Sequence, residues 1–302
     1  MPIANDGSAE RQYLELIEEI LTNGVYRDDR TGVGTYSIHG ATMRFDLSEG
    51  HIPVLTTKKT GYKLAIKEML WFLSGETNIR PLLRSGVSIW SDWPHQKYVK
   101  ATGEDIPMDV FEARILAEDN FAERWGDLGP VYGSQWRRWK GADGAEHDQL
   151  SALVEQIKTN PNSRRLLFHG WNVAEVDEMA LPPCHLLYQY FVADGRLSST
   201  VYQRSVDVGL GLPFNIIGAS ILLRMLAQQC DLEPGELFWV GHDVHIYANH
   251  AESLTIQRGR SPREFPKLHF RRRPESLFQY EIDDFEVTGY APHPAISMAV
   301  AV

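Results

Sequence analysis

Residues 9–23 put Tyr13, Leu14, Leu16, Ile17, Ile20 and Leu21 on one broad face, with Gly24 behind them as a stop, so this spacing predicts an amphipathic helix. The stretch DDRTGVGTYSIHGATMRFDL then alternates short β-prone segments with glycines, which predicts a hairpin. A second helix is expected over 62–74, where EMLWFL makes it apolar nearly all round and therefore buried. Residues 94–124 are more polar and read as an inserted helical excursion that docks through Phe111, Ile115 and Leu116. A third helix over 149–159 should stop at Asn160-Pro161, because the residue before proline is pushed out of helical geometry. RRLLFHGW and LLYQYFVADGRLSSTVYQRS are strand-like, with Asp194-Gly195 as a two-residue hairpin turn. Pro213 suits the first turn of a long apolar helix reaching about Cys230, and short strands and loops are expected after it.

Strands and helices mix without strict alternation, and no repeat, low-complexity segment or linker breaks the chain. The expected fold class is therefore α+β: one domain over residues 1–302, a mixed β-sheet packed with helices, with a helical insertion at about 94–124. The composition supports a substantial core, at 43% hydrophobic and 23% charged residues with eight tryptophans. No run approaches the roughly 18 apolar residues of a membrane span. Met1 to Glu10 is polar and lacks the layout of a signal peptide. Two cysteines far apart, Cys184 and Cys230, make no disulfide framework, so a cytoplasmic location is expected. A formal charge of -10 argues against nucleic acid or anionic membrane as a partner. It leaves room for a small phosphorylated ligand held by a local arginine cluster.

The chemistry concentrates in LPPCHLLYQYFVADGRLSSTVYQRSVDVGLGLPFN. Cys184 follows two prolines and precedes His185. A thiol near its reference pKa of about 8.5 is mostly protonated at neutral pH, and only the thiolate attacks well. With the turn at 194–195, Arg204 falls roughly opposite Cys184, where a guanidinium would favour the thiolate. A buried packing thiol is the competing reading, but the prolines, His185 and the arginine strand favour a nucleophile. Candidate phosphate ligands are Arg30 in a glycine-rich turn, Arg164-Arg165 at the start of a strand, and Arg204-Ser205. Adjacent strand residues point to opposite faces, so one site takes both Arg164 and Arg165 only if a second subunit or a bulge intervenes. His242, His245 and His250 match no zinc signature, and no metal is expected. His245 and Tyr247 share a strand face suited to a sugar hydroxyl.

Taken together, DDRTGVGT, LTTKK, EMLWFLSGETNI, GDLGPVYGSQWR, NSRRLLF, LPPCH, YQRSVDVGLGLPFNI, HDVHIYANH and GYAPHPAI resemble the folate-dependent thymidylate synthase family from Tyr13 to Val302. The resemblance implies reductive methylation of dUMP at C5 by 5,10-methylenetetrahydrofolate, with dTMP and dihydrofolate as products and no nucleic acid or membrane partner. It implies Cys184 as the nucleophile at uracil C6 and His185, Arg204 and Asp207 among the catalytic residues. Asn215 would hydrogen-bond the pyrimidine, and Glu68 and Tyr132 would handle proton transfers through water. The dUMP set it implies is Arg30, Gln203, Arg204, Ser205, Asp207, Asn215, His245 and Tyr247, with Arg164 and Arg165 reaching in from the other subunit of a sheet-to-sheet homodimer. The folate set is Lys58, Gly61, Ile89, Trp90, Leu181, Asp207, Gly211, Phe214 and Ala301, with Val302 beside it.

The chain departs from the family pattern at Gly61, where many members carry histidine, at His169-Gly170, at His242 and at Gly218-Ala219. These departures leave a dUMP 5-hydroxymethylase, in which water replaces hydride, as the alternative reading. A dCMP hydroxymethylase fits less well, because it has aspartate where Asn215 stands. A catalytically silent binding protein and a metal-dependent hydrolase built on the histidines are weaker readings.

Overall fold

The computed structural model describes residues 8–29 and 31–300. Its helices are α1 (Ser8–Asn23), α2 (Tyr62–Ser74), α3 (Arg80–Arg84), α4 (Asp92–Thr102), α5 (Met108–Ala117), α6 (Asp119–Trp125), α7 (Tyr132–Arg137), α8 (Gln149–Thr159), α9 (Gly211–Gln229) and α10 (Ala251–Arg258). Its strands are β1 (Val25–Arg27), β2 (Thr35–Asp46), β3 (Trp139–Lys140), β4 (Glu146–His147), β5 (Leu167–His169), β6 (His185–Ala193), β7 (Arg196–Asp207), β8 (Glu233–Tyr247), β9 (Lys267–Phe270) and β10 (Phe285–Thr288). The described residues fall into two compact units, one within 8–66, 153–167 and 184–300, the other within 67–152 and 168–183.

The first unit is built on a mixed sheet in the order β1-β2-β8-β7-β6. All its neighbours are antiparallel except β7 and β8. A parallel pair needs a long crossover, and α9 supplies it. Fifteen of the 19 residues of α9 are buried. By length and composition this helix is apolar enough to cross a membrane, but its burial assigns that apolarity to the core. Arg224 lies on the same helix, and its two terminal guanidinium nitrogens donate to the Leu47 and Leu268 carbonyls.

Two features depart from the expected pattern. Gly40 makes no turn: β2 runs 12 residues through it, and the pairing of His39 with Asp243 and Ala41 with Gly241 keeps one register on both sides. With φ at 79°, Gly40 bends a continuous strand where a side chain would be strained. After α9, where short strands and loops are expected, the chain first forms the 15-residue β8 and only then the four-residue β9 and β10. The turn at Asp194 (φ 51°) and Gly195 (φ 73°) has both central residues left-handed, as a two-residue hairpin requires.

A buried carboxylate fixes the loop leading to α2. Glu10 on α1 is fully buried and accepts from the amides and the hydroxyls of both Thr56 and Thr57. The same two threonines hold distant segments. The Thr56 carbonyl accepts from the His293 amide, and Arg260 donates to the Thr57 and Pro294 carbonyls.

In the second unit, Phe72, Trp71, Trp90, Tyr132 and Trp136 pack ring on ring, with Phe72 and Tyr132 stacked at 4.7 Å. Residues 94–124 fall in α4, α5 and α6. Phe111 and Ile115, four apart on one face of α5, are fully buried. Leu116 is 38% exposed and does not dock, because one further residue turns it roughly 100° from that face.

Glu10→Ala should lower unfolding free energy by about 3 kcal/mol or more, since it strands four buried donors. Denaturant unfolding checks this, and a loss near zero would show that the threonines find other partners.

Candidate active site

Chemistry in the first unit is organised where β7 ends and α9 begins. The Asp207 carboxylate accepts from the amides of Gly209 (2.9 Å), Leu210 (3.3 Å) and Gly211 (3.1 Å), the donors that a helix start leaves without intrahelical partners. Burial opposes its charge, but His250 and the Gly211 amide hold the carboxyl below its ordinary range. Lys58 donates to the Gly209 carbonyl. Burial lowers its ammonium to about 8, against the opposing pull of Asp207.

Asp207 starts α9 and thereby sets Asn215 one turn on. Trp239 Nε1, which can only donate, lies 3.0 Å from Gln203 Oε1, so the Gln203 amide nitrogen must face the other way. That nitrogen donates to Asn215 Oδ1 at 2.8 Å. The Asn215 Nδ2 is thereby left as the outward donor. Gln203 is almost wholly buried, and its backbone neighbours Arg204 and Ser205 are half-buried.

The turn at 194–195 alone would place His185 opposite Arg204. A bulge between His185 and Leu187 shifts the register by one, and the Arg204 amide donates to the Cys184 carbonyl at 2.8 Å. Cys184 is half-buried. His185 is buried, with Nδ1 2.8 Å from the Tyr188 hydroxyl, and burial lowers its pKa to about 3. His185 is thus neutral across the physiological range and can offer hydrogen bonding and packing, not a titrating proton.

On β8, His245 and Tyr247 share a face with rings 5.3 Å apart, and His245 Nδ1 lies 3.3 Å from Asp243. The three histidines of HDVHIYANH go to three different places. His242 meets His39 edge to face at 4.8 Å, His245 meets Asp243, and His250 meets Asp207 and Ala299. Around Gly211 the nearest side-chain atoms are Asp207 Cβ and Asn215 Oδ1, while the Phe214 ring edge lies 3.9 Å from a Cβ built at Gly61. Arg164 and Arg165 both lie exposed in the turn before β5, not in a strand. The strand-parity constraint on them therefore disappears. Arg30, Ala301 and Val302 lie outside the described residues.

The second unit carries Glu68, Trp90, Tyr132, Ile89 and Leu181. Glu68 Oε1 accepts from Trp90 Nε1 at 2.8 Å. Desolvation raises its carboxyl from 4.5 to about 7, with the Trp90 bond pulling the other way. A carboxyl poised there exchanges protons near neutrality. Tyr132 is 2% exposed between Phe72 and Trp136, Ile89 is 36% exposed, and Leu181 is half-buried. Sequence reasoning missed Trp239, which orients Gln203, and the use made of His250. Period-two spacing from Trp239 to Gly241 was the available signal for the first. The second had none, since its partners are far off in the chain.

The family model described as thymidylate synthase matches residues 11–302. Curated relatives named thymidylate synthase include one from Zymomonas mobilis, 61% identical over 97% of this chain and 100% of its own length. One from Cereibacter sphaeroides is 60% identical over 97% and 99%. One from Rhizobium rhizogenes is 57% identical over 97% and 98%.

The raised Glu68 carboxyl fixes a stability trend. Between about 4.5 and 7 the folded state binds a proton that the unfolded state has lost, so this group's contribution falls as pH rises through that window. Glu68→Gln should therefore stabilise the protein by up to about 3 kcal/mol at pH 8 and by little at pH 4. Unfolding midpoints at the two pH values decide it, and a variant no more stable at pH 8 than at pH 4, relative to wild type, contradicts the desolvation account.

Proposed function

Because the chain belongs to the thymidylate synthase family, as a methyltransferase that converts dUMP to dTMP, we propose the following roles for its residues. The observation that carries them is the bulge-set pairing of Cys184 with Arg204, beside the Trp239-Gln203-Asn215 chain. Cys184 attacks uracil C6 as the thiolate, which the Arg204 guanidinium favours. A bond forms between Sγ and C6, and the displaced electron pair moves toward O4. Asn215 Nδ2, turned outward by Gln203, donates to O4, and the remaining lone pair of Oδ1 accepts from N3–H. C5 thereby becomes nucleophilic. Once C5 has gained the one-carbon unit that the folate would supply, Glu68, with its carboxyl near 7, takes the C5 proton through water organised by Tyr132, and the closing elimination breaks the Sγ–C6 bond and returns the Cys184 thiolate. His185 supports Cys184 by packing rather than by titrating.

Arg30, Arg204 and Ser205 hold the phosphate, joined by Arg164 and Arg165 of a second copy. His245 and Tyr247 take the deoxyribose hydroxyl. The folate is 5,10-methylenetetrahydrofolate, and it supplies both the one-carbon unit and the hydride. The residues proposed for it are Asp207, whose ionised carboxylate would accept from pterin N–H groups, Gly211 with Asp207 and Asn215 at its side, Gly61 and Phe214, and the apolar Trp90, Ile89 and Leu181. Lys58, Ala301 and Val302 complete the proposed folate set. The hydroxymethylase alternative is not favoured, since the relatives are named thymidylate synthase.

The enzyme acts as a cytoplasmic homodimer, one thymidylate synthase-like domain over 1–302 with 94–124 as an insertion. Support for a sheet-to-sheet pairing comes from the face opposite α9. Strand register sets Thr42, Val240, Tyr202 and Leu187 in one row and Arg44, Phe238, Thr200 and Gln189 in the next, with Phe191 67% exposed nearby. A side-by-side band of this kind suits the same face of a second copy.

Cys184→Ser should abolish turnover while dUMP still binds, because Arg204, Ser205 and Asn215 remain. A serine variant that kept a substantial fraction of the rate would remove the covalent step. Arg164→Ala/Arg165→Ala protein and Cys184→Ser protein, each inactive alone, should regain activity when mixed, since a heterodimer then holds one site free of both defects. Proven subunit exchange without recovery would place the arginine pair in its own subunit's site or outside any site.

A further inference from the structure

His250 is fully buried, and each ring nitrogen meets a different partner. Nε2 lies 2.6 Å from the Ala299 carbonyl, and a carbonyl only accepts, so this nitrogen carries a hydrogen. Nδ1 lies 3.8 Å from Asp207 Oδ1, an ion-pair distance too long for a hydrogen bond, and has no hydrogen-bond partner of its own. The segment before Ala299 is tied at the same place. Ser253 on α10 donates to the Ser297 carbonyl, and Met298 Sδ lies 4.0 Å from the Lys58 ammonium. Beneath them is Gly209, where a Cβ would stand 2.6 Å from His250 Nδ1 and 3.2 Å from Met298 Sδ. Only a residue without a side chain lets the ring and the thioether close over the backbone that Asp207 holds.

We propose that His250 is a positioning residue that fastens residues 297–299 to Asp207, with Nε2–H holding Ala299 and Nδ1 facing the carboxylate. Docking of that segment and presentation of the Asp207 carboxylate then depend on one imidazole. The link to folate rests on the role given to Asp207 above; the link between His250 and the segment does not.

The charged and titratable groups around the ring come from several elements. Asp207 at the end of β7 faces Nδ1, and Lys58 approaches from the loop before α2. The Tyr247 ring of β8 lies edge to face at 5.6 Å, with His245 on the same strand, and Tyr13 of α1 donates to the adjacent Val208 carbonyl. Burial alone favours the neutral ring. The Asp207 carboxylate and the Ala299 carbonyl outweigh it and raise the imidazole above its ordinary 6.5. The doubly held, protonated ring is therefore complete below 6.5 and is lost as pH rises through the raised value.

The test reads Met298 directly, by peroxide oxidation of the full-length protein without ligands, scored by mass spectrometry against Met108 on α5. In wild type the Met298 to Met108 ratio should be low near pH 6 and rise several-fold toward about pH 9 as the ring loses its proton. His250→Gln can still donate to Ala299 but cannot ionise, so its ratio should be independent of pH. The same variant should raise the folate KM several-fold with dUMP affinity unchanged. If it does not fold, Gly209→Ala carries the argument, because the added methyl displaces the ring or the thioether and should raise the ratio at every pH. A flat wild-type profile, a His250→Gln profile that follows wild type, or an unchanged ratio in Gly209→Ala overturns the proposal. An altered labelling profile with an unaltered folate KM would keep the fastening and remove the role of Asp207 in folate recognition.

Discussion

The carboxylate of Asp207 is the point on which the first unit's chemistry depends. It closes β7, satisfies three consecutive amides at the start of α9, and gives Lys58 and His250 a counter-charge in a buried setting. A buried carboxylate without such partners would be costly enough to take up a proton. Here the amides and cations hold it ionised, so an acceptor with a fixed direction is available beside Asn215. The entry angle of α9 also decides where Asn215 meets Gln203, and Trp239 then decides which of its amide atoms faces outward. One charge therefore sets a helix start and faces the imidazole that meets Ala299.

The second unit solves the opposite problem. Glu68 meets one indole N–H and an aromatic surrounding rather than a set of amides and cations, and its carboxyl rises to about 7. Two acidic residues of the same chain are thus driven apart by environment, one held charged and one able to exchange a proton near neutrality. That separation is the ground on which we propose Asp207 for binding and Glu68 for proton transfer.

Much of this was legible in the sequence where the physics is local. The helices over 62–74 and 149–159 follow from apolar spacing and from Asn160-Pro161, and the structure has α2 and α8 at those bounds. The Asp194-Gly195 turn follows from the left-handed backbone that both residues tolerate. What was not legible depends on partners distant in the chain. Gly40 read as a turn signal, yet pairing with β8 keeps it inside a strand. Arg164 and Arg165 read as strand residues but fall in the turn before β5. Arg204 stands opposite Cys184 as the spacing predicts, but the bulge after His185 that sets this pairing leaves no mark in composition. Leu116 was placed on the docking face of α5 because apolarity alone does not say which side of a helix it serves.

The most direct test of the central claim is native-state hydrogen exchange on Asp207→Ala against wild type. Loss of the carboxylate should speed exchange of the Gly209, Leu210 and Gly211 amides by about tenfold or more, roughly 1.4 kcal/mol of local protection, and speed exchange in residues 298–299 as well. Exchange in the middle of β7 and β8 should stay as in wild type. Unchanged exchange at 209–211 would contradict the account, because it would mean that α9 keeps its start, and Asn215 its place, without Asp207.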